Sequence, residues 1–288
     1  MEEKLHNRHA LVLSKEYPQA NFTWIISLII SVIFLVNSFS FTTGEMNSLV
    51  FAMFIAYLAT TFLQLFITRR MKRDLLDTGA IQKKTRRLGY VQLLSLVSGN
   101  VFAAAAAFNL INERKTPEYT FAVYMFLTQL FVIAISAMNM FKPYVTDTFL
   151  VSMAVLLVIT VFHAAVLIAV AKLVRETDAP RSMAMIAVFV LLTAVTGNLF
   201  ALLLGWSLLL KSMSNDHSRI LKWHVMWEKI TRNSMAVFGL FFIILMLAIS
   251  VTSRFTFDYD FAVENDYGNI LQTPSWAYPF GTDNFGRD

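Results

Sequence analysis

Apolar residues are concentrated in seven long runs that are separated by polar or charged connections. The runs cover approximately residues 22–41, 48–67, 89–111, 119–141, 148–171, 183–210 and 234–253. A helix needs about 20 mostly apolar residues to cross a hydrocarbon core about 30 Å thick, because each residue adds about 1.5 Å. The pattern therefore predicts an all-α, polytopic membrane protein with seven transmembrane helices.

The composition supports this fold class. Of the 288 residues, 57% are hydrophobic and 15% are charged, whereas charged residues make up about a quarter of a typical soluble domain. The chain has no cysteine, which excludes disulfides, thiolate nucleophiles and cysteine-based metal sites. The six prolines all lie outside the apolar runs, so they do not interrupt the predicted helices.

The distribution of Lys and Arg predicts an orientation in the membrane. If the amino terminus is cytoplasmic, the cytoplasmic connections hold 17 of the 24 Lys and Arg residues and the opposite connections hold seven. Basic connections tend to stay on the cytoplasmic side. The sequence therefore predicts a multi-pass protein of the cell (plasma) membrane, with the tail 1–21 in the cytoplasm and the segment 254–288, including residue 288, outside it.

A short sequence occurs twice, in the third and sixth apolar runs. Residues 93–103 read LLSLVSGNVFA and residues 191–201 read LLTAVTGNLFA, with seven of eleven positions identical and two Ser/Thr exchanges. We therefore predict that the six-helix domain 22–210 contains two copies, 22–111 and 119–210. Since each copy would have three spans, the second copy would be inverted relative to the first, as in many transporters.

Three polar residues lie deep within the predicted spans: Asn100, Asn198 and His163. In one interpretation the two asparagines line a transport site near the midplane. The favoured interpretation is structural, because asparagines that bond across a helix interface each contribute roughly 1 kcal/mol. A single histidine without an acidic neighbour in any span is a poor proton relay, so we expect His163 to bond to a neighbouring helix. The sequence shows no catalytic cluster, and we predict neither enzymatic activity nor a cofactor.

Two charged stretches have simple explanations. The basic run 69–87 is best explained as a topology signal that contacts anionic lipid, and the net charge of +5 therefore does not indicate nucleic-acid binding. The segment 254–288 carries six acidic residues. Their spacing does not fit the twelve-residue calcium loop, so we predict no metal site.

The segment 211–233 precedes the last apolar run and has the features of an interfacial amphipathic helix. Trp223 and Trp227 are four residues apart, with Lys222, Lys229 and Arg232 around them. Tryptophans favour the headgroup region of a bilayer, where basic side chains reach phosphate. The run 234–253 and the acidic segment 254–288 follow.

This part of the chain resembles a known family. The order of Trp227, Arg232, Asn233, Ala236 and Gly239, followed by a P-x-G-T-D-x-x-G-R-D motif, is similar to the start of the C-type permease subunit of oligopeptide and dipeptide ABC importers. The motif residues are Pro279, Gly281, Thr282, Asp283, Gly286, Arg287 and Asp288. The resemblance covers about residues 222–288, and the run 234–253 would be the first permease-like transmembrane helix. The six preceding helices resemble no family that we can name.

The segment also departs from the family pattern. Residues 257–260, FDYD, lack the two prolines of the family's acidic element, and Tyr278 occupies the position of its usual histidine. Members of the family continue with five further helices and a coupling loop that docks on the ATPase. We therefore expect this chain to be the front part of a longer protein.

The resemblance implies a function and partners. It implies a membrane permease component of an ABC importer for peptides or related solutes, which works with a second permease subunit, two ABC ATPase subunits and an extracytoplasmic substrate-binding protein. The chain has no phosphate-binding G-x-x-x-x-G-K-[ST] loop of its own. Two alternatives stay open for the six preceding helices: an autonomous secondary carrier, or a membrane scaffold or regulatory module.

The glycines of the motif permit backbone angles that other residues avoid. Thr282 or Asp283 could cap a short helix, and Asp283 and Arg287 could pair across one turn. The favoured interpretation is a rigid connection at the outer surface. The alternative is a contact with the substrate-binding protein or with the mouth of the translocation path.

Overall fold

The protein is described here by a computed structural model. It describes residues 11, 14, 16–39, 44–113, 116–141, 145–176, 178–214, 216–258, 263–275, 277–278 and 281–287. In these ranges the regular structure is helical, apart from an isolated bridge between Phe39 and Met46. The prediction of an all-α, polytopic membrane protein is confirmed.

Ten α-helices are present in the described residues. They are α1 (Glu16–Asn37), α2 (Ser48–Thr78), α3 (Lys83–Gln92), α4 (Val101–Ile111), α5 (Pro117–Met138), α6 (Phe149–Leu173), α7 (Ser182–Thr193), α8 (Leu199–Met213), α9 (His217–Arg232) and α10 (Ser234–Thr256). Five of them, α1, α2, α5, α6 and α10, are long and apolar enough to cross a membrane. The count of seven continuous spans is therefore corrected to five long helices.

The predicted spans over 89–111 and 183–210 are both interrupted. In the first, α3 runs into a 3-10 turn, Leu93–Leu96, and α4 begins only after Gly99 and Asn100. In the second, α7 runs into the 3-10 turn Ala194–Thr196, and α8 begins after Gly197 and Asn198. Gly99 and Gly197 have φ angles of 68° and 82°, a conformation that ends a helix and that glycine adopts without strain. Hydropathy measures apolar length and does not detect such a reversal.

Residues 83–111 form a helical hairpin, called here the first hairpin. Near its open end, Arg86 in α3 donates a hydrogen bond of 3.0 Å to the carbonyl oxygen of Leu110 in α4. A β-carbon on Gly89 would lie 2.7 Å from Cγ1 of Ile111, so the two arms touch. With 11 residues, α4 is about 16 Å long, which is about half of the hydrocarbon core.

The second arm of the first hairpin runs antiparallel to the first half of α1. Asn109, near the end of α4, donates to Gln19, near the start of α1. At the other end, Asn100 donates to Ser27 at 2.9 Å, close to the middle of α1. The chain therefore turns back about halfway along α1 and returns to the end from which it started.

Residues 182–213 form the second hairpin, with the same arrangement. A β-carbon on Gly205 in α8 would lie 2.6 Å from Cγ of Leu191 in α7. Near the end of α8, Lys211 is 2.8 Å from Glu118 in the first turn of α5. At the start of α8, Asn198 donates to the carbonyl oxygen of Met125, one-third of the way along α5. The second arm therefore runs antiparallel to the first part of α5.

The chain divides into two compact units, Met1–Glu113 and Arg114–Asp288. In the first unit, α1 to α4 enclose a cluster around Ile67, Met71 and Leu110. In the second unit, the ring of Tyr124 in α5 packs between Phe200 of α8 and Phe238 of α10, at 5.6 and 5.8 Å between centroids. Each unit contains two long helices followed by a hairpin, and the second unit continues with α9 and α10.

The basic run 69–87 begins on an extension of α2 and continues into the first turns of α3. With 31 residues, α2 is about 46 Å long and exceeds the hydrocarbon core. Asp74 is buried and holds the connection to α3, because its Oδ2 accepts hydrogen bonds from Thr85 at 2.5 Å and from the backbone N–H of Gln82 at 3.1 Å. The surrounding basic side chains are mostly exposed, as expected for contact with lipid headgroups.

Candidate functional site

The tips of the two hairpins have the same backbone conformation. Asn100 has φ and ψ angles of −79° and 86°, and Asn198 has −78° and 85°. Both asparagines directly follow a glycine with positive φ, and both are 0% exposed. The repeated Gly-Asn sequence therefore builds the same turn twice, near the middle of α1 in the first hairpin and about one-third of the way along α5 in the second.

The two arms approach closely in both hairpins. The glycine that permits this approach lies on the first arm in the first hairpin and on the second arm in the second hairpin. The alignment that pairs Gly99 with Gly197 also pairs Gly89 with Ala187 and Ala107 with Gly205. A β-carbon on Gly89 would lie 3.1 Å from the carbonyl oxygen of Ala107, and one on Gly205 would lie 3.0 Å from that of Ala187. The same pair of positions thus meets in both hairpins, and this agreement supports a duplication.

Asn100 is fully occupied by hydrogen bonds. Its Nδ2 donates to Ser27 at 2.9 Å and to Thr60 at 3.2 Å, and its Oδ1 accepts from the backbone N–H of Ala103 at 3.0 Å. It therefore links α1, α2 and the start of α4. This is the arrangement expected from a structural asparagine.

Only one of the two polar atoms in the Asn198 side chain has a hydrogen-bond partner. Its Nδ2 donates to the carbonyl oxygen of Met125 at 2.9 Å. Its Oδ1 is buried and has no hydrogen-bond partner among the residues that the structure describes, and its side chain does not cap α8. The two asparagines that the sequence pairs are therefore chemically different in the folded chain.

His163 bonds between two helices. Its Nε2 lies 2.9 Å from Oγ1 of Thr193, at the end of α7. The Thr193 hydroxyl donates to the carbonyl oxygen of Val190 at 2.7 Å, so it accepts from a protonated Nε2. His163 thus fastens α6 to the first arm of the second hairpin, beside the tip.

A buried ion pair lies at the open end of the second hairpin, and the sequence did not predict it. Glu118 and Lys211 are 2.8 Å apart, and both side chains are 0% exposed. Lys211 also donates to the carbonyl oxygen of Arg175 at 3.1 Å. Each residue stands at the edge of an apolar run, where a charge is normally assigned to the interface. The pairing could not be foreseen because it requires the fold-back of α8.

The ion pair also contacts α9, the helix that we predicted to lie at the membrane interface. Ser207 in α8 donates to Glu118 and accepts a hydrogen bond of 2.9 Å from the indole N–H of Trp223 in α9. The ring of Trp227 packs edge-on against Phe121 in α5, at 5.0 Å between centroids. Both tryptophans that we assigned to the membrane interface therefore pack against other helices of the second unit, α8 and α5.

The tip of the second hairpin also contacts α10. A β-carbon on Gly197 would lie 2.9 Å from Cα of Ala248, which stands slightly past the middle of α10. At the end of α10, Thr146 and Thr148 each donate a 2.9 Å hydrogen bond to the carbonyl oxygen of Phe255. The last long helix is therefore an integral part of the second unit.

The carboxyl-terminal motif folds as a cross-linked loop. Asp283 accepts hydrogen bonds from the backbone N–H groups of Phe285 at 2.8 Å and Arg287 at 2.9 Å, and the Arg287 guanidinium pairs with it at 2.9 Å. Gly281 and Gly286 have φ angles of 81° and 74°. Asp283 and Arg287 therefore pair, as their spacing allowed, and they do so in a turn that is not helical. Pro279 and Asp288 lie outside the described residues.

A second segment of the loop is hydrogen-bonded to this turn through Thr282. Its hydroxyl donates to the carbonyl oxygen of Asn269 and accepts from the backbone N–H of Gln272 at 2.8 Å. The backbone N–H of Asp266 donates to the carbonyl oxygen of Phe285 at 2.9 Å. The glycines are needed here, because a β-carbon on Gly286 would collide with the carbonyl oxygen of Asp266. The arrangement favours a rigid connection.

The charge of Asp283 gives a testable pH dependence. The backbone N–H of Arg287 is the main cause that holds the pKa of Asp283 below its usual range, together with the N–H of Phe285 and the guanidinium of Arg287. Because the folded pKa is lowered, the carboxylate stabilises the turn at neutral pH, and this contribution is lost as the pH falls through the folded pKa. We expect the amides of Phe285 and Arg287 to keep their protection from hydrogen exchange, after correction for intrinsic rates, from pH 7 to pH 5.

The matched control is Asp283→Asn, which keeps the acceptor oxygen and removes the charge. It should show weaker protection at pH 7 and little further change on acidification. Loss of protection in the unmodified protein between pH 7 and pH 5 would contradict this account of the turn.

Comparison with known proteins identifies the region around α9 and α10. Residues 222–274 match the family model described as the N-terminal TM domain of oligopeptide transport permease C. Two similar relatives are the glutathione transport system permease proteins GsiD of Escherichia coli O1:K1 / APEC and of Shigella flexneri serotype 5b (strain 8401). Each is 35% identical over 66 residues, which are 23% of this chain and 22% of the relative. No solved structure matches the chain.

These matches cover only part of each protein. The chain matches about a fifth of the length of the curated relatives. Within the matched residues, the resemblance to the C-type permease subunit of peptide ABC importers is confirmed. The family model ends at residue 274, so the assignment of the motif from Pro279 to Asp288 stays a prediction.

Proposed function

We propose that this chain is the amino-terminal portion of a membrane permease component of an ABC importer for peptides or related solutes, forming part of the translocation pathway. The observation that carries the proposal is the match of residues 222–274 to the N-terminal domain of oligopeptide transport permease C. The folded segment is compatible with it, because an interfacial helix with two tryptophans leads directly into a long apolar helix.

The proposed partners follow from the same match. They are a second permease subunit, two ABC ATPase subunits and an extracytoplasmic substrate-binding protein. Short peptides, including glutathione-like tripeptides, are the proposed substrate class, since the relatives are named as glutathione permeases. The chain itself would supply part of the pathway and no hydrolytic chemistry.

The hairpins change the proposed topology but not the proposed side of the carboxyl terminus. Two crossings and a hairpin would return the chain to the side of the membrane from which it started, so we propose that α5 begins on that side. We therefore propose two crossings and a hairpin for each copy, in place of the three spans for each copy on which the predicted inverted repeat depends. Five crossings are still an odd number, and they place the segment after α10 outside the cytoplasm if the amino terminus is inside.

The distribution of Lys and Arg agrees better with this topology of five spans and two hairpins than with a topology of seven spans. The connections on the side of the amino terminus then hold 21 of the 24 Lys and Arg residues, and only Lys142, Arg254 and Arg287 lie on the opposite side. With seven spans the division is 17 to seven. Because basic connections are retained in the cytoplasm, we assign the open ends of both hairpins to the cytoplasmic side of the plasma membrane.

For the residues before α9, the packing favours a scaffold over an autonomous carrier. Trp223 of the interfacial helix is bonded to Ser207 in the second hairpin, and Ala248 of α10 lies against the hairpin tip. In this role the second unit sets the position of the first permease-like helix.

Uptake by the complete importer tests the proposal. We expect cells that lack the gene for this protein to lose ATP-dependent uptake of a labelled tripeptide, and the tagged protein to co-purify with ABC ATPase subunits. Reintroduction of the gene should restore uptake. The proposal fails if uptake is unchanged in the deletion strain and no ATPase co-purifies. Uptake that follows an ion gradient and needs no ATPase would instead support the autonomous carrier.

A further inference from the structure

The tip of the second hairpin carries more buried acceptors than donors. Oδ1 of Asn198 and Oε1 of Gln129 are buried and have no hydrogen-bond partner in the described part of the chain, and the same is true of the Thr128 hydroxyl. The three side chains are 0%, 1% and 0% exposed. Buried polar atoms at this depth cannot be satisfied by bulk water, and leaving them unpaired costs free energy.

Rotation of either side-chain amide by about 180°, in Asn198 or in Gln129, would not give the unpaired oxygens partners. The Nδ2 of Asn198 donates to the carbonyl oxygen of Met125 at 2.9 Å, and the Nε2 of Gln129 donates to that of Leu156 at 3.5 Å. Exchange of oxygen and nitrogen in either amide would place two acceptors against each other. Both free oxygens therefore remain acceptors.

The three side chains with unpaired atoms belong to neighbouring positions of the fold. A helix carbonyl points toward the residue four positions later, so the carbonyl of Met125 is directed at Gln129. Asn198 bonds to that carbonyl and thus lies beside the turn that contains Thr128 and Gln129. We call these three residues the tip site. The single hydroxyl proton of Thr128 can serve only one of the two amide oxygens.

The first hairpin does not have this imbalance. Asn100 at its tip is fully bonded. The buried atoms without partners nearby belong to Ser31, Gln92 and Ser95, which include an amide NH₂ and two hydroxyls as donors. Gln92 and Ser95 are three residues apart and face the same side of the chain, so small rotations allow them to bond to each other.

A cavity next to the tip site provides space. It has a volume of about 290 Å³ and is bounded by α6, the tip of the second hairpin and α10. Its lining includes Leu156, whose carbonyl binds Gln129, and Thr196, two residues before Asn198. Since a water molecule in the liquid takes up about 30 Å³, the cavity has room for small species beside the tip, and the three tip-site side chains themselves lie behind its lining.

We propose that the acceptors of the tip site bind a small species within the membrane, either water or a monovalent cation, which would be ammonium as a hydrogen-bond donor or sodium as an ion coordinated by the oxygens. The ligands are two amide oxygens and a hydroxyl, with no carboxylate among the three side chains. Divalent cations prefer several oxygen ligands that include carboxylates, so this set favours a neutral or singly charged species. The inference does not depend on peptide import.

The absence of cysteine makes the site testable with single-cysteine variants. In lipid nanodiscs, Thr128→Cys should react with 2-aminoethyl methanethiosulfonate at least ten times faster than Ser27→Cys. Ser27 is the matched control, because it is equally buried at the first hairpin tip and is bonded to Asn100. Glu45→Cys, at an exposed position, confirms that the reagent is active.

The same assay distinguishes the two kinds of ligand. If a cation occupies the site, sodium or ammonium chloride should slow the modification of Thr128→Cys relative to choline chloride at equal ionic strength. If water occupies it, the rate should be fast and independent of the salt. Modification no faster than that of Ser27→Cys would overturn the proposal.

A second variant keeps the proposal testable if Thr128→Cys does not fold. Gln129→Met removes the acceptor in a side chain of similar size. Gln64→Met is its control, because Gln64 is also buried and donates to a helix carbonyl, that of Ala20 at 3.3 Å. We expect Gln129→Met to lower Tm by at least as many degrees as Gln64→Met, since a bound donor is lost. A rise in Tm would show that the oxygen is unpaired and the site is dry.

Discussion

Replacement of Glu118 with glutamine should lower Tm by about 10 °C, the largest effect that we expect from a single substitution. The ion pair with Lys211 is fully buried and 2.8 Å long, so the variant leaves a buried ammonium group without its counter-charge. Removal of one partner of a buried pair costs about 3–5 kcal/mol. In a chain of this size, 1 kcal/mol corresponds to roughly 2–4 °C. Thermal unfolding in nanodiscs measures the shift.

The first unit provides a matched control. Glu16, in the first turn of α1, pairs with Arg86 at 3.5 Å, with side-chain exposures of 11% and 18%. Because this pair is longer and partly hydrated, Glu16→Gln should cost less than about 1 kcal/mol. Replacement of both members of the buried pair, in Glu118→Leu with Lys211→Met, should restore most of the lost stability, since apolar residues of similar size need no counter-charge.

Loss of the pair should also release α9. Glu118 accepts from Ser207, which accepts from the indole of Trp223. In Glu118→Gln we therefore expect tryptophan fluorescence to shift to longer wavelength at temperatures below the unfolding transition. Equal Tm values for Glu118→Gln and Glu16→Gln would contradict a special role for the buried pair.

The sequence predicted most of the helices because apolar length is a direct requirement of the bilayer. The runs that became α1, α5, α6 and α10 were each identified within about six residues, whereas α2 continues past the predicted end at residue 67 to Thr78. The helix α9 and the permease resemblance also came from local patterns, namely two tryptophans among basic residues and a dense set of family residues, and the interfacial position of α9 stays a prediction. These features depend on neighbours in the chain.

The hairpins were not predicted, because apolar length is the same for a span and for two half-length arms. A signal was nevertheless present. Five basic residues in two connections, Arg114, Lys115, Lys172, Arg175 and Arg181, lie on the outer side in the seven-span topology. The run 89–111, which precedes the first of these connections, and the run 183–210, which follows the second, each contain a Gly-Asn pair. Basic residues on the unexpected side of the membrane, next to a run with a possible turn, indicate that the chain turns back within that run. The ion pair of Glu118 and Lys211 and the open acceptor on Asn198 depend on contacts between distant residues.

Labelling of single-cysteine variants from one side of the membrane tests the hairpins most directly. We predict that a membrane-impermeant maleimide reaches Glu113→Cys, which follows the first hairpin, from the same side as Lys84→Cys, which precedes it, and from the side opposite to Glu45→Cys. The same should hold for the second hairpin, with Asp178→Cys and Asp216→Cys labelled from one side. Labelling of Glu113→Cys together with Glu45→Cys would mean that residues 83–111 cross the membrane, and would contradict the account.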